Sequence, residues 1–200
     1  MIIRLVTNLI VFALVTAAAS MALTWYMASA GSTLTTERFG PWVTWNAIGR
    51  SDADPYTRAH VIQSGTMPLS TSVARIYRAD VDDEGRPLIA SCDYAIKGSG
   101  PDAVWWLLAV YDTTGRLIDN RAARFGFTSE DILRGPDGTF QVTLARGTRA
   151  GNWLPSGRSG QRVLVLTALQ PRYRGASEAR ENDRAVEAAQ LPSITQQGCR

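Results

Sequence analysis

The side chains best suited to binding chemistry are polar residues that follow apolar segments of the chain. They are Asp112, Asp119, Asn120, Arg121 and Arg124, and later Asn152 and Trp153. Carboxylates, amides and an indole in loops beside a sheet can hold a sugar or an organic acid through paired hydrogen bonds and ring stacking. We therefore predict a small-ligand cleft formed by Asp112, Asp119, Asn120, Arg124, Asn152 and Trp153.

The same residues also have an ordinary structural interpretation. Asp and Asn in turns accept hydrogen bonds from their own backbone, and Arg covers a neighbouring carboxylate. Trp153, which precedes Leu154 and Pro155, would then close one end of the fold. The sequence alone leaves both interpretations open.

Residues of catalytic type form no recognisable motif in this sequence. It contains no nucleophile elbow and no phosphate-cradling glycine motif, and His60 is its only histidine. We therefore predict no catalytic residues and expect His60 to pack, partly solvated, on a short helix. The alternative is a carbohydrate-active or other hydrolytic enzyme, because Asp93, Asp112 and Asp119 could approach one another as a carboxylate pair.

Neither a cofactor, a metal ion nor a nucleic acid is an expected partner. The two cysteines and His60 do not make a ligand cluster, and the acidic segment 82–85 is typical of a solvated turn rather than a calcium loop. The net charge of +3 is small, and acidic and basic residues are interspersed. That pattern gives no basic footprint for nucleic acid.

The first thirty residues determine the compartment in which these side chains work. Residues 5–30 carry no charge and are mostly apolar, which is long enough for a helix to cross the ~30 Å hydrocarbon layer. Arg4 is the only basic residue ahead of this run, so the N-terminus is predicted to be cytoplasmic. Trp25 and Tyr26 fit the aromatic belt at the outer interface. We therefore predict that residues 1–30 anchor the chain in a bacterial inner membrane, with the main domain in the periplasm.

Two other interpretations of this segment remain open. Ala28, Ser29 and Ala30 have the small-x-small pattern of a signal-peptidase site, although the apolar run exceeds the ~7 to 15 residues usual in a cleaved signal. Both possibilities export the domain. A purely structural role is the second alternative, since the small residues at 17–20 permit close approach of another membrane helix.

Export has a consequence for the two cysteines of the chain. In an oxidising compartment, Cys92 and Cys199 are expected to be joined as a disulfide, which would tie the C-terminus to a central strand. Two unrelated free thiols are the alternative.

The rest of the chain has the pattern of one mainly β domain. A polar spacer at 31–38 precedes a domain at 39–174, and residues 175–200 are predicted to form a C-terminal helix and tail. Asp54, Pro55 and Gly65 predict a short helix over 55–64. Runs of β-favouring residues predict strands over 73–79, 88–96, 104–112, 139–146 and 162–169, the first two forming a hairpin about the turn at 82–85.

Four motifs resemble the family known as domain of unknown function 1214. They are DAVWWLLAVYDTTGRLIDN, RFGF, GPDGTFQVTLA and NWLP, the last followed by a strand that ends at Pro171. The resemblance covers roughly 54–172 and implies a β-sandwich of jelly-roll type, which in that family often follows a second uncharacterised domain. This short chain resembles the membrane-anchored type. Thr167 and Leu169 depart from the Arg and aromatic residue that members commonly carry there, and the family supplies no established catalytic residues.

Together these features predict a β-sandwich, jelly-roll-like, with short flanking helices and one transmembrane helix before it. The predicted function is a non-catalytic cell-envelope module that binds a small molecule or an envelope protein near the membrane surface.

Overall fold

The computed structural model describes residues 2–65, 67–171 and 187–199. The chain opens with helix α1 (Ile2–Ala30), which is long and apolar enough to cross a membrane and whose apolar side chains are exposed up to Tyr26. The hydroxyls of Thr7, Thr16 and Ser29 donate to carbonyls four residues earlier in α1. These polar groups are thus satisfied within the helix, as a bilayer requires.

Two β-sheets follow α1. Their strands are β1 (Thr36–Phe39), β2 (Trp42–Trp45), β3 (Ala74–Ala79), β4 (Cys92–Gly98), β5 (Ala103–Tyr111), β6 (Gly126–Thr128), β7 (Phe140–Ala145), β8 (Asn152–Pro155), β9 (Val163–Pro171) and β10 (Ser193–Cys199). One sheet has six strands in the order β1-β2-β3-β9-β5-β6, and the other has four in the order β10-β4-β7-β8. Within the described ranges, β7 and β8 are parallel and the other strand pairs are antiparallel.

The two sheets pack face to face over one hydrophobic core. Trp106 of β5 lies against Phe140 of β7, with ring centroids 5.2 Å apart, and Trp42 of β2 donates its indole N–H to the carbonyl of Pro192 at 2.7 Å. Burial of side chains of this size contributes about 1.5–3 kcal/mol each. The chain is therefore mainly β, a two-sheet sandwich, as predicted. The jelly-roll connectivity implied by the family resemblance stays a prediction.

Helix α2 (Pro55–Ser64) has the bounds that the sequence predicts. The carboxylate of Asp54 accepts hydrogen bonds from the backbone N–H groups of Tyr56 and Thr57, and Gly65 ends the helix in a left-handed conformation with φ +62°. These are the local signals of a capped helix, so the helix could be predicted without knowledge of its tertiary contacts.

The predicted hairpin over 73–96 is wrong. The turn itself exists, since Val81 and Pro87 form an antiparallel bridge around it. However, β3 pairs with β2 and β9, whereas β4 lies in the other sheet between β10 and β7. Alternating apolar residues indicate that a strand forms, but they do not identify the strand with which it pairs.

Two further segments differ from the sequence prediction. Residues 36–38, predicted as spacer, belong to β1, and the turn before them is closed by hydrogen bonds between Ser32 and Thr35. Asn152 and Trp153, expected in a loop, lie on β8, which pairs with β7. Both departures have one cause, because these short polar segments become strands by pairing with a neighbouring strand, β2 for β1 and β7 for β8, and their own residues do not show that pairing.

Trp105 and Trp106 of β5 lie on opposite sides of the sheet. Trp106 is buried in the core at 2% exposure, and Trp105 on the other side is half-buried. Val104 projects to the same side as Trp106 but is 63% exposed at the start of the strand. The N-terminal end of β5 is therefore uncovered, although its residues are apolar there. An apolar run does not by itself reveal whether a second layer lies over it.

The C-terminal strand β10 forms the edge of the four-stranded sheet. Cys199 lies directly opposite Cys92 in the register of β10 and β4, and the two are joined by a disulfide with their Cα atoms 3.9 Å apart. The predicted disulfide is present. Most of the helix predicted over 175–190 lies outside the described residues, which resume at Glu187 with a helical turn.

Candidate functional site

An open groove of about 810 Å³ lies where the loop after β5, the strand β8 and the loop before β9 meet. We call it the arginine groove. Its polar and aromatic lining residues include Asp119, Asn120, Arg121, Arg146, Trp153 and Arg158. Three arginines and one aspartate give this lining a net positive charge.

The loop after β5 is held in shape by the side chain of Asn120. Its amide nitrogen donates to the carbonyls of Ile118 at 3.0 Å and Arg124 at 2.9 Å, and its amide oxygen accepts from the N–H of Arg124 at 3.0 Å. Ile118 is buried in the core and anchors the loop from below. Asn120 thus closes the loop that carries Asp119 and Arg121.

The loop before β9 is held by Arg162, which is only 4% exposed. Its guanidinium donates to the carbonyls of Ser156, of Ser159 at 2.5 Å and of Gln161 at 2.7 Å. Burial lowers the pKa of Arg162, while the charge of Asp112 acts in the opposite direction. The buried guanidinium of Arg162 therefore holds the loop that places Arg158 at the groove.

Strand β8 forms the floor of the groove. Trp153 donates its indole N–H to the carbonyl of Ala145 at 3.0 Å, which fixes the ring at the groove wall. Arg124 lies beside it, donating to the carbonyl of Trp153 at 3.3 Å while its guanidinium sits 5.5 Å from the ring centroid of Phe127. The groove therefore has an aromatic surface that its neighbours hold in place.

The charged groups of the groove are available to a ligand. Within the described part of the chain, Asp119, Arg121, Arg146 and Arg158 make no hydrogen bond or ion pair. Guanidinium groups are planar forks that bind carboxylate or phosphate oxygens in pairs, and an indole face stacks on a sugar ring. This arrangement suits an anionic small molecule.

The structure brings together only part of the predicted ligand site. Asp119, Asn120 and Trp153 line the groove and Arg124 lies next to it. Asn152 is buried at 6% exposure, and its side chain bonds the backbone of Leu133 and Gln141.

Asp112 is likewise engaged in local structure. Its carboxylate accepts from the N–H of Arg116 at 2.9 Å and from the hydroxyl and N–H of Thr114 at 2.7 and 2.8 Å, and these bonds lower its pKa. Asn152 and Asp112 therefore have the structural role that the sequence left open.

Arg146 and Arg158 are groove residues that sequence reasoning missed. Arg146 follows β7 and Arg158 precedes β9, so the two flank the NWLP motif in sequence. That placement is the signal that could have identified them, since charged residues in the loops that follow and precede apolar strands lie at the rim of the structure.

The carboxylates proposed for hydrolytic chemistry do not form a free pair. Asp93 of β4 binds Arg149 at 2.5 Å, and Asp112 is held in its turn. Asp119 alone of the three has an unengaged carboxylate among the described residues. In the same ranges, no group of three or more His, Cys, Asp or Glu side chains could hold a metal ion.

His60 packs at the end of α1, as expected for a half-buried histidine. Its ring stacks on Trp45, with centroids 4.1 Å apart and an interplanar angle of 19°, and its Nδ1 lies 3.2 Å from the carbonyl oxygen of Ala28. Burial lowers its pKa, the Ala28 carbonyl raises it and the charge of Arg78 lowers it further. His60 is therefore neutral at pH 7 and links α2 to the end of α1.

Comparison with known proteins gives a family and a fold. The sequence profile of the family described as "Protein of unknown function (DUF1214)" matches residues 73–173, a segment that contains the whole arginine groove. No curated protein matches the chain.

Two solved structures are similar to the chain. The VPA0106 protein from Vibrio parahaemolyticus has a TM-score of 0.63 at 16% identity, over 90% of this chain and 43% of that one. An uncharacterised protein from Burkholderia cenocepacia has a TM-score of 0.40 at 15% identity, over 64% of this chain and 29% of that one. The chain thus spans less than half the length of either protein. At 16% identity, the similarity to the VPA0106 protein shows only the fold.

Proposed function

We propose that this chain, which belongs to the DUF1214 family, is a membrane-anchored cell-envelope module that binds an anionic ligand in the arginine groove. The observation that carries the proposal is the set of unengaged arginines beside a fixed tryptophan. Acidic sugars and organic acids combine a carboxylate for the arginines with a body that stacks on the indole.

The proposed location is the outer face of a bacterial inner membrane. Helix α1 supports it as an uncharged apolar span, and the disulfide between Cys92 and Cys199 supports export because such bonds persist in oxidising compartments. Arg4 at the start of α1 favours a cytoplasmic N-terminus and a periplasmic sandwich. A ligand would thus be bound outside the cytosol and close to the membrane.

A binding assay with a charge-matched variant tests the groove. The full chain in detergent micelles is titrated calorimetrically with acidic sugars, dicarboxylic acids and neutral sugars of similar size. We expect binding by acidic compounds, and Arg121→Gln combined with Arg158→Gln should weaken it about tenfold or more, since charge-assisted hydrogen bonds contribute roughly 1.5–3 kcal/mol each.

The control removes the same charge elsewhere on the domain. Arg38→Gln combined with Arg78→Gln changes two exposed arginines that do not line the groove, so binding of the acidic compounds should be retained. Equal affinity for neutral sugars, or equal losses in the two double variants, contradicts the proposed groove.

A further inference from the structure

We propose a second binding site, for the phosphodiester of a phospholipid headgroup, in the pocket where α1 meets the six-stranded sheet. This α1-end pocket has a volume of about 280 Å³, and its lining includes Ser29, Ala30, Arg38, Trp45, Arg78 and Asp80. The inference rests on the proposal that α1 is retained as a membrane anchor. It concerns a site separate from the arginine groove.

The strand register brings two arginines to one face of the sheet. Arg38 of β1 is paired with Val43 of β2, and Val43 is paired in turn with Arg78 of β3. Residues directly opposite one another on neighbouring strands project to the same face. Arg38 and Arg78 therefore flank Val43 in a single row, and both line the pocket.

These two arginines are not committed to other partners. Both are exposed, and neither makes a hydrogen bond or ion pair with the residues that the structure describes. Asp80 is the acidic side chain in the same lining, and His60 in the pocket wall is neutral at pH 7. The pocket thus carries a net positive charge and offers two guanidinium forks to one anion.

The position of the pocket along α1 places it at headgroup depth. At ~1.5 Å per residue the uncharged run of residues 5–30 spans about 39 Å, which exceeds the ~30 Å hydrocarbon layer. The excess extends into the headgroup layer, where the rings of Trp25 and Tyr26 are expected. Ser29 and Ala30 follow Trp25 by about 6 to 8 Å of helix and line the pocket.

The phosphate group bound in this pocket is therefore that of a membrane phospholipid. The phosphodiesters of the outer leaflet lie at the same depth as Arg38 and Arg78, so a headgroup reaches both without leaving the bilayer. The carboxylate of Asp80 is placed to accept from the ammonium or hydroxyl groups that extend from the phosphate. Contacts of the α2 residue His60 with Trp45 and Ala28 keep the end of α1 beside the pocket.

Native mass spectrometry of the full chain tests the site. The delipidated protein in mild detergent is titrated with phosphatidylglycerol, phosphatidylethanolamine, diacylglycerol and inorganic phosphate. We expect retention of the two phospholipids, and not of diacylglycerol, which lacks the phosphate. Arg38→Gln combined with Arg78→Gln should weaken this retention about tenfold or more, because each juxtamembrane arginine adds to headgroup attraction.

Matched variants separate this site from general charge effects and from misfolding. Lys97→Gln combined with Arg116→Gln removes the same charge from two exposed side chains that line neither the α1-end pocket nor the arginine groove, and it should retain phospholipid as the wild type does. Arg38→Lys combined with Arg78→Lys keeps the charge and should restore part of the retention. Unchanged retention in the Gln variant, retention of diacylglycerol, or displacement of lipid by inorganic phosphate at equal concentration overturns the inference.

The same mass spectra distinguish a failure of the lipid site from a failure of the proposed membrane anchor. A chain that begins after Ala30 shows cleavage of α1 and overturns the anchor and the lipid site together. A full-length chain whose phospholipid retention does not depend on Arg38 and Arg78 overturns the lipid site alone.

Discussion

Gly157 shows how closely the two loops of the arginine groove are packed. It adopts φ +76°, and a Cβ atom there would lie 2.7 Å from Cγ2 of Ile118 and 3.1 Å from a guanidinium nitrogen of Arg162. Glycine is therefore required for two reasons, since the left-handed conformation strains an L side chain and the space for one is absent. This close approach keeps Arg158 and Asp119 on the walls of one groove.

Substitution of Gly157 by Ala should destabilise the domain more than the same change at Gly138. Gly138 has a similar φ of +77°, but no atom lies within 4 Å of the point that an added Cβ would occupy. Gly138→Ala therefore isolates the backbone strain, about 1–2 kcal/mol, while Gly157→Ala adds about 1–3 kcal/mol of overpacking. Thermal unfolding of the two variants measures the difference, and equal losses contradict the close packing.

Asp82 gives the domain a specific sensitivity to acid. Its buried carboxylate accepts from the N–H groups of Glu84 at 3.0 Å and Arg86 at 2.9 Å and pairs with the Arg86 guanidinium at 2.8 Å. Burial raises the pKa of Asp82, but the hydrogen bonds and charge of Arg86 and the N–H of Glu84 bring it below its ordinary value of 3.8. The folded state thus holds this proton less tightly than the unfolded chain.

The resulting stability is present above the ordinary pKa of an aspartate and is lost as the pH falls through the lower, folded pKa. We expect the free energy of unfolding of the wild type to decline as the pH falls below about 4. Asp82→Asn should be less stable at pH 7 and should decline less steeply in acid, because it has no carboxylate to protonate. Denaturation at a series of pH values measures both slopes, and parallel slopes exclude this role of Asp82.

At the scale of elements, the features predicted correctly are those with local causes. Helix α2 is fixed by Asp54 and Gly65 at its own ends, and β7 by the alternation of Phe140, Val142 and Leu144 into the core. Neither depends on a distant partner. The predicted hairpin is wrong because β3 and β4 pair with strands far along the chain, and this pairing places them in different sheets.

The candidate site follows the same rule. Asp112 and Asp119 are equivalent in sequence terms, yet the first accepts hydrogen bonds within its own turn while the second lines the groove. Arg146 and Arg158 join the groove through the packing of β7, β8 and the loop before β9. Their convergence is a tertiary property, which residue type and spacing do not contain.

The disulfide stabilises β10, an edge strand that pairs with β4 on one side only. Strand β10 pairs with β4 and places Ile194 in the core, and the bond between Cys92 and Cys199 closes a separation of 107 residues. Replacing both cysteines with serine should lower the free energy of unfolding by about 2–5 kcal/mol. Thermal unfolding with and without reductant provides the measurement. An unchanged melting temperature in both the variant and the reduced wild type contradicts a stabilising role.

At the scale of the whole molecule, α1 and the sandwich are joined by specific contacts. Ala28 is buried at the junction, His60 approaches its carbonyl, and the turn between Ser32 and Thr35 leads directly into β1. The predicted polar spacer is therefore reduced to the turn before β1. We expect a domain that sits close to the bilayer, with the α1-end pocket in the headgroup layer and the arginine groove on the loops about β8.

The most direct test of a module anchored outside the cytosol is an intact mass under non-reducing conditions, taken on protein extracted from the membrane fraction of cells that express it. We predict a mass that includes α1 (Ile2–Ala30), with both cysteines oxidised. That result means that α1 is retained and that the sandwich has entered an oxidising compartment. A chain shortened to begin after Ala30, or a full-length chain with two free thiols, contradicts the anchored, exported module.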